Sequence, residues 1–354
     1  MTSQFIRKTT ADLRDYPGLD SHLVGIHYEI TIGDLHGNAL KLLYFLIDQQ
    51  VLAMSKQDYM EAVTIYERAK LMLTIDDLKK FSEILSRTTT NKPVDKVRFI
   101  GDELADRGNN DYLTLKILEK LHAHSIPFEI LLSNHGLEFI QWYEKNNWPD
   151  IPSYQRSSQE NMLKLMDAGM IHETEIDEII NFVYKPNVKV LGYHIGDKKI
   201  TLFSHAPIGL EIIRAMAKQL NVAYHDGTIK ELSESIDCIN AIFSEYVNKN
   251  IVHDLVQSRM AFAEVQEKMF GNPYENLNWK KFPFAYLIWS RRYAGLQCPD
   301  HYHGYTINFI HGHDHKPSGL DNVKSLDDEF GKDYNDPRHD PYMGVYQCLL
   351  EDNE

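Results

Sequence analysis

Seven residues of this chain have the types and spacing of a metal-binding set: Asp34, His36, Asp102, Asn134, His205, His313 and His315. They fall in five segments, each just after an apolar, β-branched run that reads as a strand. In α/β proteins ligands gather beyond the carboxyl ends of strands, so such ends can converge on one place. A single Asp-x-His in a loop is most often a turn with a surface histidine, but the recurrence in successive segments is a pattern. Mixed carboxylate, amide and imidazole donors suit manganese, iron, zinc or cobalt better than calcium, and no thiolate is offered. Two such ions side by side neutralise the oxygens of a phosphate ester and activate a water, which phosphoester hydrolysis requires.

The elements that must position these residues follow from the apolar patterning. Residues 23–33, LVGIHYEITIG, read as a strand entering the Asp34–Asn38 loop, with a helix over 39–52. A second strand at 94–100 ends at Gly-Asp, and helix 110–124 follows with Leu113, Ile117, Leu118 and Leu121 on one face. A third strand, 127–132, ends at Ser133-Asn134-His135, with a further helix expected. This alternation predicts an α/β core with a largely parallel inner sheet. Helical stretches near 157–183 come next, then a hairpin of 187–195 and 199–204 around Gly196-Asp197, ending at His205. A helical region covers 208–270, strand 305–310 runs into His311-Gly312-His313-Asp314-His315, and a last strand lies at 344–350. Residues 1–354 read as one domain with helical insertions at 54–90 and 145–185, both between motif strands. His301-Tyr302-His303 precedes its strand and reads as loop, and His311 as a packing or supporting residue. The aspartate-rich stretch 321–340 reads as a solvated loop without the ligand spacing of an EF-hand.

Composition narrows the partners. A net charge of −14 repels nucleic-acid backbones and anionic membranes. The three cysteines are far apart, form no CxxC pair, and none precedes an arginine by five residues, so thiol-based phosphatase chemistry is disfavoured. No stretch has the length of a membrane span or a signal-peptide core, and a cytoplasmic protein is expected. Oligomeric state is left open.

GDLHGN at 33–38, GDELADRG at 101–108, SNHGLE at 133–138, SHAP at 204–207 and GHDH at 312–315 resemble, in order, the motifs of calcineurin-like metallophosphoesterases. The resemblance implies two packed mixed β-sheets flanked by helices, an α/β sandwich, and two divalent ions: manganese first, with iron, zinc, cobalt or magnesium as alternatives. It implies that Asp34, His36 and His315 hold one ion, that Asn134, His205 and His313 hold the other, and that Asp102 bridges them. His135 would protonate the leaving oxygen, oriented by Asp106, and Arg107 would grip the phosphate oxygens. FAYLIWSRR at 284–292 resembles the Trp-Ser segment of the phosphoprotein-phosphatase branch and of bacterial diadenosine-tetraphosphate hydrolases, which makes Arg291 or Arg292 a second clamp.

The chain also departs from the family pattern. The interval from Asp102 to Asp106 is one residue longer than in GDxxDRG, which puts the geometry of Asp106 and Arg107 in question. Ser133 stands where glycine is common. Gly136 replaces an acidic residue, for which Glu138 is a compensating candidate unless it serves only the helix start. A phosphoprotein is the expected substrate, through serine or threonine and less readily tyrosine. The alternatives are a diadenosine-tetraphosphate hydrolase and a catalytically dead binding module. The phosphoprotein-phosphatase core with added helices is similar to Legionella effector phosphatases of the Wip type, which implies a bacterial effector delivered into a host cell.

Overall fold

Each segment that carries a candidate ligand follows a strand: β2 (Tyr28–Ile32), β5 (Lys96–Phe99), β6 (Phe128–Leu131), β9 (Lys199–Ser204) and β11 (Tyr305–His311). The computed structural model describes residues 4–18, 28–91, 94–145, 153–256, 282–291, 293, 295–334, 336 and 338–352. The start of the expected strand at 23–33, the tail of the helical region 208–270, and Arg292 lie outside these residues. The chain is a mixed α/β structure that divides into two units: Ser3–Phe128, Ile151–Asn187 and Asp328–Glu354 form the first, and Glu129–Asp150 and Val188–Asp327 belong to the second.

In the first unit four strands run in the order β1-β13-β2-β5, where β1 is Gln4–Asp12 and β13 is Met343–Asp352. β2 and β5 are parallel, with Ile30 opposite Val97, and β13 is antiparallel to both β2 and β1. The patterning did not mark β1, because QFIRKTTAD mixes basic, polar and apolar residues. Nine register pairs with β13 make it a strand. Helix α1 (Ala39–Asp48) is buried along its whole length and starts at Asn38, whose side chain accepts from Lys41 N. Helices α2 (Lys56–Arg68) and α3 (Ile75–Arg87) are capped by Ser55 and by a Thr74/Asp77 capping box. They rise between β3 (Leu52–Ala53) and β4 (Thr89–Thr90), which pair antiparallel. Helix α4 (Asp111–Ala123) follows β5. Helices α6 (Ser157–Asp167) and α7 (Glu173–Ile179) lead into a π-helical stretch, Ile180–Tyr184, and the turn α8 (Lys185–Asn187).

In the second unit β6 pairs parallel with β7 (Val188–Lys189) through Ile130 and Val188, and α5 (Asn134–Lys145) begins at the ligand motif. A mixed sheet runs β10-β11-β9-β8, where β8 is Gly192–Gly196 and β10 is His301–Tyr302, and β12 (Val323–Ser325) pairs with β11. Helices α9 (Leu210–Gln219), α10 (Ile229–Asn248), α11 (Val252–Leu255) and α12 (Pro283–Trp289) are also here. Two sequence expectations change. His301 and Tyr302 form a short strand against β11 rather than a loop, because Gly304, at φ +90°, allows a tight reversal. The stretch 321–340 is not simply solvated: Asp327, Asp328 and Phe330 are buried.

The two ligand loops of the first unit are zipped together. Leu35 N donates to Gly101 O at 3.1 Å and Gly37 N to Asp102 O at 2.7 Å. The backbones approach so closely that a Cβ on Gly108 would lie 1.7 Å from Gly37 O. Gly108→Ala is therefore expected to cost roughly 3 kcal/mol or more, because backbone must move. Gly18→Ala, with nothing within 4 Å of the added methyl, should stay within about 0.5 kcal/mol of the parent. Urea midpoints test this, and equal midpoints would show that the apposition contributes nothing.

Candidate metal and phosphate site

The first unit presents one group of donors. His36, Asp102 and Asp106 each bring an atom within 4.8 Å of the others, and all are buried. His36 and Asp102 have left-handed backbone, at φ 57° and 53°. That conformation costs non-glycine residues about 1–3 kcal/mol and collects at functional sites. His36 Nδ1 lies 3.3 Å from Asp106 Oδ2. A carboxylate against one ring nitrogen fixes the tautomer and presents the other nitrogen, as metal-binding histidines require. The second oxygen of Asp106 accepts from Arg107 Nε at 2.8 Å. The sequence reading pairs Asp106 with His135, whereas the ring it lies against in the first unit is that of His36.

Asp34 is buried as well, and its loop is held by a lysine that the sequence did not single out. Lys41 Nζ donates to Asp34 O at 2.7 Å, Asp328 Oδ1 at 2.8 Å and Phe330 O at 2.8 Å. Asn38 Nδ2 adds a bond to Gly331 O at 2.8 Å. The C-terminal segment thus fixes the first ligand loop. Burial pushes the Asp328 carboxyl up, and Lys41 opposes that shift.

The extra residue of the GDELADRG loop is taken up by another left-handed residue, Ala105 at φ 53°. Its amide donates to Asp111 Oδ2 at 2.9 Å. Burial pushes the Asp111 carboxyl up to about 7 and that of Glu103 up to about 8. Glu103 accepts from the Tyr184 hydroxyl.

The second unit presents its own group. His205 Nε2 lies 2.8 Å from Asn134 Oδ1 and 3.2 Å from His313 Nδ1. Donors bound to one ion at about 2.1 Å stand roughly 3 Å apart, so this triad has the spacing of a ligand set. Gly312 N donates to His205 O at 2.8 Å, which ties the two histidine loops together. His313 is left-handed at φ 61° and takes the edge of Trp289 at 6.3 Å between centroids. Burial, with His205 and then Arg291, drives its pKa well below the ordinary value. The neutral ring is the form that ligates.

His135 is buried one residue after Asn134, with Nδ1 3.6 Å from Glu138 Oε2. Glu138 therefore faces His135 rather than serving only the helix start. Ser133 has a plain role: its Oγ accepts from Gly136 N at 2.8 Å and caps the turn. Arg291 is exposed just after α12. His315 is also exposed, whereas Asp34, His36, Asp102, Asn134, His205 and His313 are buried. His311 lies between Gly312 O at 2.7 Å and the Tyr293 hydroxyl at 3.1 Å, and burial lowers it to about 4. It packs, as the sequence suggests.

The family model of the WipA-like phosphatase domain matches residues 96–332. Among solved structures, the phosphatase domain from the Legionella effector WipB is similar with a TM-score of 0.71 and 30% identity. That match covers 81% of this chain and 99% of the WipB domain. No curated protein matches at a significant level.

The raised Asp111 carboxyl sets an expectation for stability. In the unfolded chain this group ionises near 3.8, and in the fold it keeps its proton up to about 7. The folded state binds the extra proton between those values, so stability falls as pH rises through that window. Asp111→Asn keeps an acceptor for Ala105 N and removes the titration. Urea midpoints from pH 4 to 8 should fall less steeply in this variant, and an unchanged slope would contradict the assignment.

Proposed function

Since the chain belongs to the WipA-like phosphatase domain family, we propose that this phosphatase is a two-metal phosphomonoesterase of calcineurin-like type acting on phosphoproteins. The observation that carries the reading is the donor triad of Asn134, His205 and His313, at metal-ligand spacing. The second donor group, His36, Asp102 and Asp106, supports it. In this reading Asn134, His205 and His313 would hold one ion, Asp34, His36 and the exposed His315 would hold the other, and Asp102 would serve both. When bound, two divalent ions, manganese foremost, neutralise phosphoryl oxygens and lower the pKa of water.

The chain's own residues do the rest. Asp106 fixes the ring of His36 and the guanidinium of Arg107, and the planar fork of Arg107 binds the non-reacting phosphate oxygens. Arg291 provides a second cationic contact. His135 gives a proton to the leaving oxygen of a serine, threonine or tyrosine side chain. Glu138 Oε2 lies 3.6 Å from its Nδ1. The WipB neighbour is a Legionella effector, which supports the reading of a bacterial protein delivered into a host cell. No helix among the described residues is long and apolar enough to cross a membrane.

Chelation followed by gel filtration should abolish hydrolysis of p-nitrophenyl phosphate, and added manganese should restore it. Activity that survives with no bound metal would refute the two-metal reading. Asp102→Asn should lower turnover by roughly two orders of magnitude or more, with reduced metal content by mass spectrometry. His135→Asn should lower kcat by about 10²–10⁴-fold with metal content unchanged, and metal loss there would contradict its role as proton donor. Phosphopeptides should release phosphate while diadenosine tetraphosphate stays intact, and the opposite preference would move the enzyme to nucleotide hydrolysis.

A further inference from the structure

The loop expected to grip phosphate is held by the helical insertion as well as by Asp111 at the start of the helix that follows it. Ser158, at the start of α6, meets both backbone groups of Asp106. Ser158 N donates to Asp106 O at 3.0 Å, and Asp106 N donates to Ser158 Oγ at 3.1 Å. The same hydroxyl lies 2.9 Å from Asp106 O, to which it donates. One residue earlier, Ser157 Oγ donates to Gly108 O at 3.1 Å. One turn later, Asn161 Nδ2 donates to Asn109 O at 2.8 Å. At the other end of the loop, Tyr184 in the π-helical stretch donates to the buried carboxyl of Glu103. π-Helical turns are uncommon and concentrate at functional positions.

The sequence explains why such a brace is needed. The loop carries one residue more than the calcineurin-like pattern, and Ala105 within it is left-handed. A longer loop has more conformations to choose from, so fixing Asp106 and Arg107 requires added contacts. Ser158, Ser157, Asn161 and Tyr184 all come from the segment between the third motif strand and β7. That segment reads from sequence only as a helical insertion.

We propose that the insertion 153–187 is a brace for the phosphate-gripping loop, with Ser158 and Tyr184 as positioning residues that act on substrate through Asp106 and Arg107. The proposal rests on the phosphatase reading above, in which Arg107 contacts the phosphate. It assigns the insertion to the geometry of the reacting group. The alternative, recognition of a partner protein, concerns the rest of the substrate.

A double-mutant cycle tests it, using the full chain loaded with manganese and p-nitrophenyl phosphate as substrate. Ser158→Ala and Tyr184→Phe should each lower kcat/KM by about tenfold, since small displacements of a positioned group are costly. Each should also raise the inhibition constant for inorganic phosphate, with metal content and the inhibition constant for a non-phosphate metal chelator unchanged. In an Arg107→Ala background the same substitutions should have little further effect. Effects that multiply in that background, or an unchanged phosphate inhibition constant, would overturn the brace. Tyr184→Phe removes one hydroxyl and keeps the ring, so it carries the test if Ser158→Ala does not give folded protein. Failure of the reading it rests on is separately visible: no hydrolysis by the parent would sink the phosphatase, and an unchanged kcat/KM in Arg107→Ala alone would sink the contact of Arg107 with phosphate.

Discussion

A carboxylate taken out of water must be neutralised, and the first unit buries many of them. Isolated buried ions are too costly to persist, so each must find a cation, a proton or hydrogen-bond donors. The structure uses all of these solutions within one neighbourhood. Asp328 takes Lys41, and Asp106 takes Arg107 and the ring of His36. Glu103 and Asp111 keep their protons toward neutral pH because burial raises them. Asp34 and Asp102 are the carboxylates for which the proposed function supplies divalent ions. The placement of Lys41 follows from the same constraint. Its ammonium can be buried only because three acceptors surround it, and one of these is the carbonyl of a candidate ligand.

The candidate ligands were legible because their signal is local. Each sits within a few residues of a strand end, and strands declare themselves by β-branched, apolar runs. Strand β11 followed by His313 is a case where the chain reads correctly from left to right. The same holds for helices α1 and α4, whose caps, Asn38 and Asn110, stand where the patterning begins. What supports the ligands was not legible. Lys41 meets Asp328 across 287 positions, and Ser158 meets Asp106 across 52. Neither pairing leaves a mark in a window of any length. Strand β1 was missed for a related reason: its identity comes from a partner at the far end of the chain, not from its own alternation. The aspartates near 328 looked solvated because charge usually is, and only the buried lysine reverses that expectation.

The match to the WipA-like phosphatase domain begins at residue 96. It therefore leaves out the GDLHGN loop, although Asp34 and His36 lie there. The physical case for including that loop does not depend on the match. Gly37 and Gly108 touch backbone to backbone, and Gly37 N bonds Asp102 O, so the loop is fastened to a segment that the match does cover. A side chain on Gly37 would also meet Ser158 Oγ at 2.7 Å. One glycine thus stands between two residues that the sequence places far apart.

The added residue in the GDELADRG loop bears on what an insertion means in this chain. Taken alone, a lengthened loop argues for displaced functional groups and weakened chemistry. Yet Arg107 Nε still bonds Asp106, and Asp106 still faces His36, a residue of the preceding motif. The surplus is absorbed at Ala105, whose amide donates to Asp111. In the proposed function Ala105 itself has no part in the chemistry, whereas Asp102, left-handed in the same loop, does. Keeping Asp106 and Arg107 in register required donors and acceptors that the minimal loop does not supply, and the helices after residue 153 bring them. Loop length and helical insertion are therefore two halves of one feature. A homologue with the shorter loop would have no structural need for a serine at the position of Ser158.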